Sequence, residues 1–160
     1  MSLRPMLYYM EQGPEVGGCG EDSCVQAIML NGTPAMWWLA IPVLGFALWR
    51  AIFSRDARYA FALVGYAAGI IPWFFMLDRQ MYFFYATPMA PFLIILITLI
   101  LGDILYPRST EPERRTLGLL VVCFYVALVI TNFAWMYPIL TGLPISPATW
   151  NLEIVLPSWR

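Results

Sequence analysis

The chain has 160 residues, of which 61% are hydrophobic and 12% are charged. A soluble domain of this size could not bury so much apolar surface in one core, so the composition predicts a protein of the lipid bilayer. Nine Arg oppose ten acidic residues, the net charge is -1, and there is no Lys and no His. This balance excludes nucleic acid as a partner, and it excludes a His-dependent hydrolase or zinc site.

Four apolar stretches are long enough to cross a bilayer, since a spanning helix needs about 20 mostly apolar residues. In chain order, the predicted spans cover about residues 35–53, 59–77, 89–105 and 116–137. Pro72 is expected to kink the second span, and the fourth is expected to end at Pro138, Gly142, Pro144 and Pro147. The sequence therefore predicts an all-α integral membrane protein with four transmembrane helices.

The predicted spans divide the chain into three parts: an external segment, residues 1–34, a four-span membrane domain, residues 35–137, and an external interfacial tail, residues 138–160. The tail carries Trp150 and Trp159 among aliphatic residues. This composition is typical of a segment that lies on a membrane surface.

The distribution of Arg predicts the orientation. Six Arg flank the connections after the first and third spans, and three lie on the opposite side: Arg50, Arg55, Arg58, Arg108, Arg114 and Arg115, against Arg4, Arg79 and Arg160. Because Arg-rich short loops stay in the cytoplasm, we expect both termini to be extracytoplasmic in the cell membrane. Residues 1–33 contain no basic region followed by an apolar signal stretch. Their export therefore predicts an upstream helix, and unaided translocation of a short N-terminal tail is the alternative.

Two cysteines, Cys19 and Cys24, lie in a Gly-rich part of the predicted external segment. A metal or redox pair is one interpretation. A structural disulfide is favoured, because an external dithiol usually oxidises and the chain has no second ligand pair. Cys123, in the middle of the fourth span, is interpreted as an apolar filler.

The segment Asp78–Pro88 connects the second and third spans. It combines an ion pair, an amide and two phenols: Asp78, Arg79, Gln80, Tyr82 and Tyr85. If the segment is helical, both phenols share a face with Asp78. Such a face suits a phosphate-bearing lipid headgroup, because Arg supplies a planar fork of donors and the other groups supply neutral ones. The alternative is an aromatic belt with one interfacial salt bridge.

Two further features lie within the spans. Gly65 and Gly69 form a GxxxG spacing that predicts close packing of another helix. Asp103 and Asn132 are polar residues at membrane depth, where such groups are often functional, although Asp103 could simply reach the cytoplasmic interface.

Several motifs follow one another along the chain: Cys19-Gly20, Ser23-Cys24, Gly32–Trp38, Gly65-Tyr66, Pro72-Trp73 and Asp78–Tyr85. This order resembles the C-terminal four-span region of bacterial protein O-mannosyltransferases, the polyprenol-phosphate-mannose–protein mannosyltransferase family. The resemblance implies that the chain is part of a larger multi-span lipid-sugar glycosyltransferase fold of the GT-C type. It also favours Arg79 as a ligand of the donor phosphate, over the aromatic-belt interpretation.

The activity that the resemblance implies is transfer of mannose from polyprenyl-phosphate-mannose to Ser or Thr of exported proteins, outside the cytoplasm. The implied partners are this donor, the exported acceptor proteins, the lipid bilayer and an upstream N-terminal part of the same enzyme. Two other hypotheses stay open. One is a small non-catalytic membrane protein that binds a lipid carrier or a partner complex, and the other is a carrier-lipid transporter.

Transfer of the sugar needs a carboxylate that accepts the proton of the acceptor hydroxyl. Family members carry it in an Asp-Glu pair on the first external loop. This sequence has no such pair in a matching position, because Glu21-Asp22 has the reverse order and lies in another loop. We therefore expect no catalytic residue, metal site or cofactor in this chain, and no activity from it alone. A divalent metal in the full enzyme stays an open question.

Overall fold

The computed structural model describes residues 5–76, 78, 82–106 and 112–154. The chain forms two compact units. The hairpin unit comprises Met1–Thr33, Gln80–Tyr85 and Thr131–Arg160, and the helical unit comprises Pro34–Arg79 and Ala86–Ile130. Each unit buries apolar side chains of its own.

The helical unit is built from the following elements: α1 (Pro34–Trp37), α2 (Ala40–Phe53), α3 (Ala57–Ile70), a 3₁₀ helix (Ile71–Phe75), α4 (Ala90–Leu105) and the first part of α5 (Pro112–Thr141). Asp56 caps α3, because its carboxylate accepts a hydrogen bond of 3.1 Å from the backbone N–H of Arg58. The backbone tightens from α to 3₁₀ geometry at Ile71, directly before Pro72. This is the place where the sequence predicts a kink.

Helices α2, α3 and α4 pack against one another. A Cβ atom on Gly65 would overlap the ring of Phe92, and one on Gly69 would overlap the Cγ atom of Met89. The predicted close packing at the GxxxG spacing is therefore confirmed, since α3 and the chain at the start of α4 approach at distances that only glycine permits.

Among the described residues, four helical segments are long and apolar enough to cross a membrane: Pro34–Phe53, Ala57–Phe75, Phe83–Leu105 and Glu113–Thr141. Only 6% of the most apolar stretch of the last segment is buried inside the protein. Its exposed apolar surface requires a lipid surrounding. The predicted fold class, a helical integral membrane protein with four spans, is confirmed.

Helix α5 extends beyond residue 137, the predicted limit of the fourth span. Pro138 lies inside this helix, which continues to Thr141. Gly142 follows with a φ of 73°, and the N–H of Leu143 donates to the carbonyl of Pro138 at 3.0 Å. This is the hydrogen bond of a Schellman motif, in which glycine adopts the left-handed conformation without steric cost. Of the four residues expected to end this span, Gly142 and not Pro138 ends the helix.

The hairpin unit contains two antiparallel strands, β1 (Met6–Gly13) and β2 (Cys24–Leu30), and these add β structure to the helical fold that the sequence predicts. Met10 pairs with Ala27, and the register shifts between Leu7 and Tyr9. The two strands differ in burial: most of β2 is buried, and most of β1 is exposed.

The core of the hairpin unit joins β2 to the end of α5 and to the chain that follows it. Val25 and Ile145 exchange two backbone hydrogen bonds of 2.9 Å each. Ser146 then caps the short helix α6 (Pro147–Glu153). The core consists of Val25, Ala27, Met136, Ile139 and Ile145, with Leu140 and Trp150 packed against it. The described part of the tail therefore packs on β2, whereas Trp159 lies outside the described residues.

Candidate functional site

The predicted phosphate site is only partly within the described residues. Asp78 lies in an exposed turn. Arg79 and Gln80 lie outside the described residues. Tyr82 and Tyr85 lie within the described residues.

An aromatic cluster forms at the start of the third spanning segment. The backbone N–H of Tyr85 donates to the carbonyl of Tyr82 at 3.1 Å, which begins a 3₁₀ helix over Phe83–Met89. Residues three apart eclipse in a 3₁₀ helix, so the two tyrosines lie on the same side of it. Phe84 stacks on Tyr82 at a centroid distance of 6.1 Å, and its centroid is 3.9 Å from that of Tyr85.

The two external cysteines, Cys19 and Cys24, are joined in a disulfide with their Cα atoms 5.9 Å apart. Cys24 is the first residue of β2 and is fully buried, so the bond closes the turn that leads into the packed strand. Cys123 is a free thiol on the exposed surface of α5. Within the described ranges, no group of three His, Cys, Asp or Glu side chains could hold a metal ion.

Asp103 lies at the centre of a polar cluster in the helical unit. Its carboxylate accepts hydrogen bonds from the Arg50 guanidinium at 2.8 Å and from the Tyr59 hydroxyl at 2.9 Å. Tyr59 is fully buried, and the Arg50 guanidinium lies 5.5 Å from the centroid of its ring. One carboxylate thus joins α2, α3 and α4 at their predicted cytoplasmic ends.

Asp56 extends this cluster. The guanidinium of Arg58 donates to both carboxylate oxygens, at 3.1 and 2.8 Å, and Arg50 lies 3.7 Å away. The two hydrogen bonds from Arg58 hold the pKa of the Asp56 carboxyl below its ordinary value. Sequence reasoning identified Asp103 but missed Arg50 and Tyr59, because residues on three different helices become neighbours only when those helices pack.

Glu153 is a second residue that sequence reasoning missed. It lies in α6, its exposed fraction is 2%, and its Oε2 atom has no hydrogen-bond partner among the described residues. Burial raises the pKa of this carboxyl to about 7. A single Glu in an amphipathic tail carries no sequence signal of such burial.

The fold defines a membrane protein of four spanning-length helices with a disulfide-closed hairpin unit. Over all of its 160 residues, the chain is 71% identical to the polyprenol-phosphate-mannose–protein mannosyltransferase of Mycolicibacterium smegmatis. It is 68% identical to the protein of the same name from Mycobacterium tuberculosis and 39% identical to that from Corynebacterium glutamicum. The resemblance to this family is confirmed along the whole chain.

The chain spans 31% of the Mycolicibacterium protein and 30% of each of the other two relatives. No protein-family model and no solved structure matches the chain.

Proposed function

We propose that the chain is the donor-binding membrane part of a protein O-mannosyltransferase. That enzyme transfers mannose from polyprenyl-phosphate-mannose to Ser or Thr hydroxyls of exported proteins. The observation that carries the proposal is the 71% identity over the full 160 residues. Since the chain spans about a third of this relative, transfer is proposed for the protein that contains the remainder as well.

The reaction forms a bond between the acceptor oxygen and the sugar's anomeric carbon and breaks the bond from that carbon to the phosphate oxygen. A carboxylate takes the proton of the acceptor hydroxyl, and the departing phosphate carries away the bonding electron pair. Cationic donors near the phosphate stabilise the charge that develops on it. We assign the proton transfer to a carboxylate outside this chain and the contact with the phosphate to this chain.

Arg79 is the proposed phosphate ligand, with Gln80, Tyr82, Tyr85 and Asp78 nearby. It is the one basic residue between the second and third spans. The planar guanidinium matches two phosphate oxygens at once. The Tyr82 and Tyr85 rings, on one side of a short helix at the start of a spanning segment, support the proposal, because aromatic side chains favour the headgroup level of a bilayer.

We place both termini outside the cytoplasm, in the cell membrane, on the basis of the Arg distribution. Reporter fusions after Leu30, Arg58, Arg115 and the last described residue, Ile154, test this orientation. External signals are expected at Leu30 and Ile154 and cytoplasmic ones at the two Arg positions. A cytoplasmic signal at Ile154 would contradict the orientation.

The phosphate site is tested by measuring mannose transfer to a Ser/Thr peptide with the full-length protein in membranes. Arg79→Gln is expected to lower kcat/KM for the lipid donor by roughly 30-fold or more, equivalent to about 2 kcal/mol, because it removes a buried ion pair between Arg79 and the donor phosphate. Arg79→Lys keeps the charge but loses the two-pronged contact, so it should recover only part of this loss. Arg115→Gln is the matched control, since Arg115 lies at the predicted cytoplasmic end.

Protein abundance separates the two possible roles of Arg79. If Arg79→Gln and Asp78→Asn both lower abundance while the remaining protein transfers mannose normally, the pair is structural and the site assignment is wrong. If the wild-type protein binds the lipid donor but transfers no mannose, the proposed enzyme function itself fails.

A further inference from the structure

Helices α4 and α5 line an apolar slot in the helical unit, here called the α4–α5 slot. Its volume is about 310 Å³. Its walls include Met36 of α1, Ile94, Ile97 and Leu101 of α4, and Val126 and Val129 of α5. All of these residues belong to segments that are long and apolar enough to cross a membrane. The slot therefore lies at the depth of hydrocarbon chains.

The two helices meet on the predicted cytoplasmic side of the slot. Gly118 of α5 is buried, and a Cβ atom on it would overlap the carbonyl oxygen of Ile104 in α4. Ile104 lies about one turn beyond Leu101, toward the predicted cytoplasmic end of α4. Met36, in contrast, belongs to the predicted extracytoplasmic end of the first span. The slot is thus bounded by a helix contact toward the cytoplasm and reaches toward the outer membrane surface.

The hydroxyl groups in the slot donate their protons within the protein. The Thr98 hydroxyl donates to the carbonyl of Ile94 at 2.8 Å, and the Tyr125 hydroxyl donates to the carbonyl of Ala35 at 3.4 Å. The other residues that line the slot are apolar. A sugar or a peptide would lose its hydrogen bonds to water here without gaining equivalent ones, whereas a hydrocarbon chain would lose none. The lining therefore suits a hydrocarbon chain.

We propose that the α4–α5 slot holds part of the isoprenoid chain of the polyprenyl-phosphate-mannose donor. The inference rests on the proposed function and extends the donor site from the phosphate to the lipid chain. The segment of the proposed phosphate ligands, Asp78–Tyr85, precedes α4 in the sequence. Ile94 and Leu101 lie about 6 Å and about 16 Å along the helix axis from Ala90, the first residue of α4. A donor whose phosphate lies at the outer surface sends its chain into the bilayer from the side toward which the slot reaches.

The slot competes with the surrounding lipid for the isoprenoid chain. Lipid tails are as apolar as the walls of the slot, so the hydrophobic effect does not favour either place. Van der Waals contact with the walls stabilises the bound chain instead. A blocked slot should accordingly weaken the binding of a long-chain donor several-fold without abolishing it.

The slot is tested by measuring the donor KM of the full-length protein in membranes with two donors. One carries a long polyprenyl chain, and the other carries a single isoprene unit, which is too short to reach Ile94. Val126→Trp places a bulky ring in the slot, so it should raise the KM for the long-chain donor by about fivefold or more. The KM for the one-unit donor should stay unchanged. An equal effect on both donors, or no effect on either, would overturn the inference.

Leu128→Trp is the matched control for this substitution. Leu128 lies on the same helix, is 44% exposed against 46% for Val126, and is not a slot residue. This variant should leave the KM values for both donors unchanged. If it raises the KM for the long-chain donor as much as Val126→Trp does, the effect comes from any bulky ring on α5 and the inference is wrong.

A photo-crosslinking amino acid in place of Val126 identifies the occupant directly, including the case in which Val126→Trp does not fold. With radiolabelled polyprenyl-phosphate-mannose, this position should capture the donor. Unlabelled long-chain donor should compete, whereas the one-unit donor and excess phospholipid should not. The same amino acid in place of Leu128 should capture bilayer phospholipid. Capture at position 126 of phospholipid alone, or of another part of the protein, would overturn the inference.

Failure of this inference is distinguishable from failure of the proposed function. If the wild type transfers mannose and Val126→Trp leaves both KM values unchanged, the slot assignment is wrong and the proposed function stands. A wild type that transfers no mannose overturns the proposed function. Capture of the donor at position 126 then still decides whether the slot holds its chain.

Discussion

Replacing Asp103 with Ala is expected to destabilise the helical unit. The carboxylate accepts hydrogen bonds from Arg50 at 2.8 Å and Tyr59 at 2.9 Å, and these residues come from two other helices. The Tyr59 hydroxyl belongs to a fully buried residue. The substitution removes the acceptor of both hydrogen bonds and leaves the poorly hydrated guanidinium with Asp56, 3.7 Å away, as an ionic partner.

The expected loss of unfolding free energy depends on how exposed the Arg50 and Asp103 side chains are. Removing one member of a fully buried ion pair costs about 3–5 kcal/mol, and a hydrogen bond to a charged group contributes about 1.5–3 kcal/mol. The Arg50 side chain is 14% exposed but that of Asp103 is 33% exposed, so water partly replaces the lost carboxylate. We therefore expect Asp103→Ala to lower the free energy of unfolding by about 2–3 kcal/mol.

The measurement is thermal unfolding of the purified protein in lipid nanodiscs. Unfolding is monitored as the loss of monodisperse protein. Asp103→Asn keeps an oxygen acceptor for Tyr59 but loses the charge, so it should fall between the wild type and Asp103→Ala. A double-mutant cycle with Tyr59→Phe isolates the part of the lost unfolding free energy that comes from the Tyr59 hydroxyl. Glu113→Gln is the control. A melting temperature for Asp103→Ala equal to that of the wild type would refute this account of the cluster.

Two further predictions concern packing and pH. Gly65→Ala should destabilise the protein by about 1–3 kcal/mol, because the added Cβ overlaps the Phe92 ring, whereas Gly45→Ala meets open space and should be neutral or stabilising in the same unfolding assay. Burial raises the pKa of Glu153 from 4.5 to about 7, so the folded state holds a proton that the unfolded state releases. The contribution of Glu153 to stability should therefore be greatest below pH 4.5, fall as pH rises to about 7 and then level. Melting curves of Glu153→Gln should show a flatter dependence over this range, and an unchanged slope would mean that Glu153 is hydrated.

The spanning helices could be predicted because the cost of exposing polar backbone to lipid leaves long apolar helices as the natural solution for such sequences. Their boundaries were less predictable. Pro138 and Gly142 both predict a helix end from local sequence, yet α5 continues past Pro138 and ends only where Gly142 adopts a left-handed conformation. Its final turns also pack Met136 and Ile139 into the core of the hairpin unit. Tertiary packing of this kind overrides a local preference.

The sequence did not predict the hairpin, for a related reason. A two-stranded sheet is marginal by itself, and β2 is stabilised by contact with Ile145 and the end of α5, which lie more than a hundred residues further along the chain. The residues of β1 and β2 show no alternation of apolar and polar side chains strong enough to predict a strand. An alternation appears only in the burial of β2, where buried and less buried residues alternate from Val25 to Leu30.

By itself, the sequence determined the membrane class, the number of spans, the close helix packing at Gly65 and the family resemblance, because these depend on composition, on local periodicity and on contiguous motifs. Only the tertiary structure decided the Arg50–Tyr59–Asp103 cluster and the burial of Glu153. Each of these depends on residues from separate elements meeting in space, and the chemistry of a site is set by its neighbours in space rather than by its neighbours in sequence.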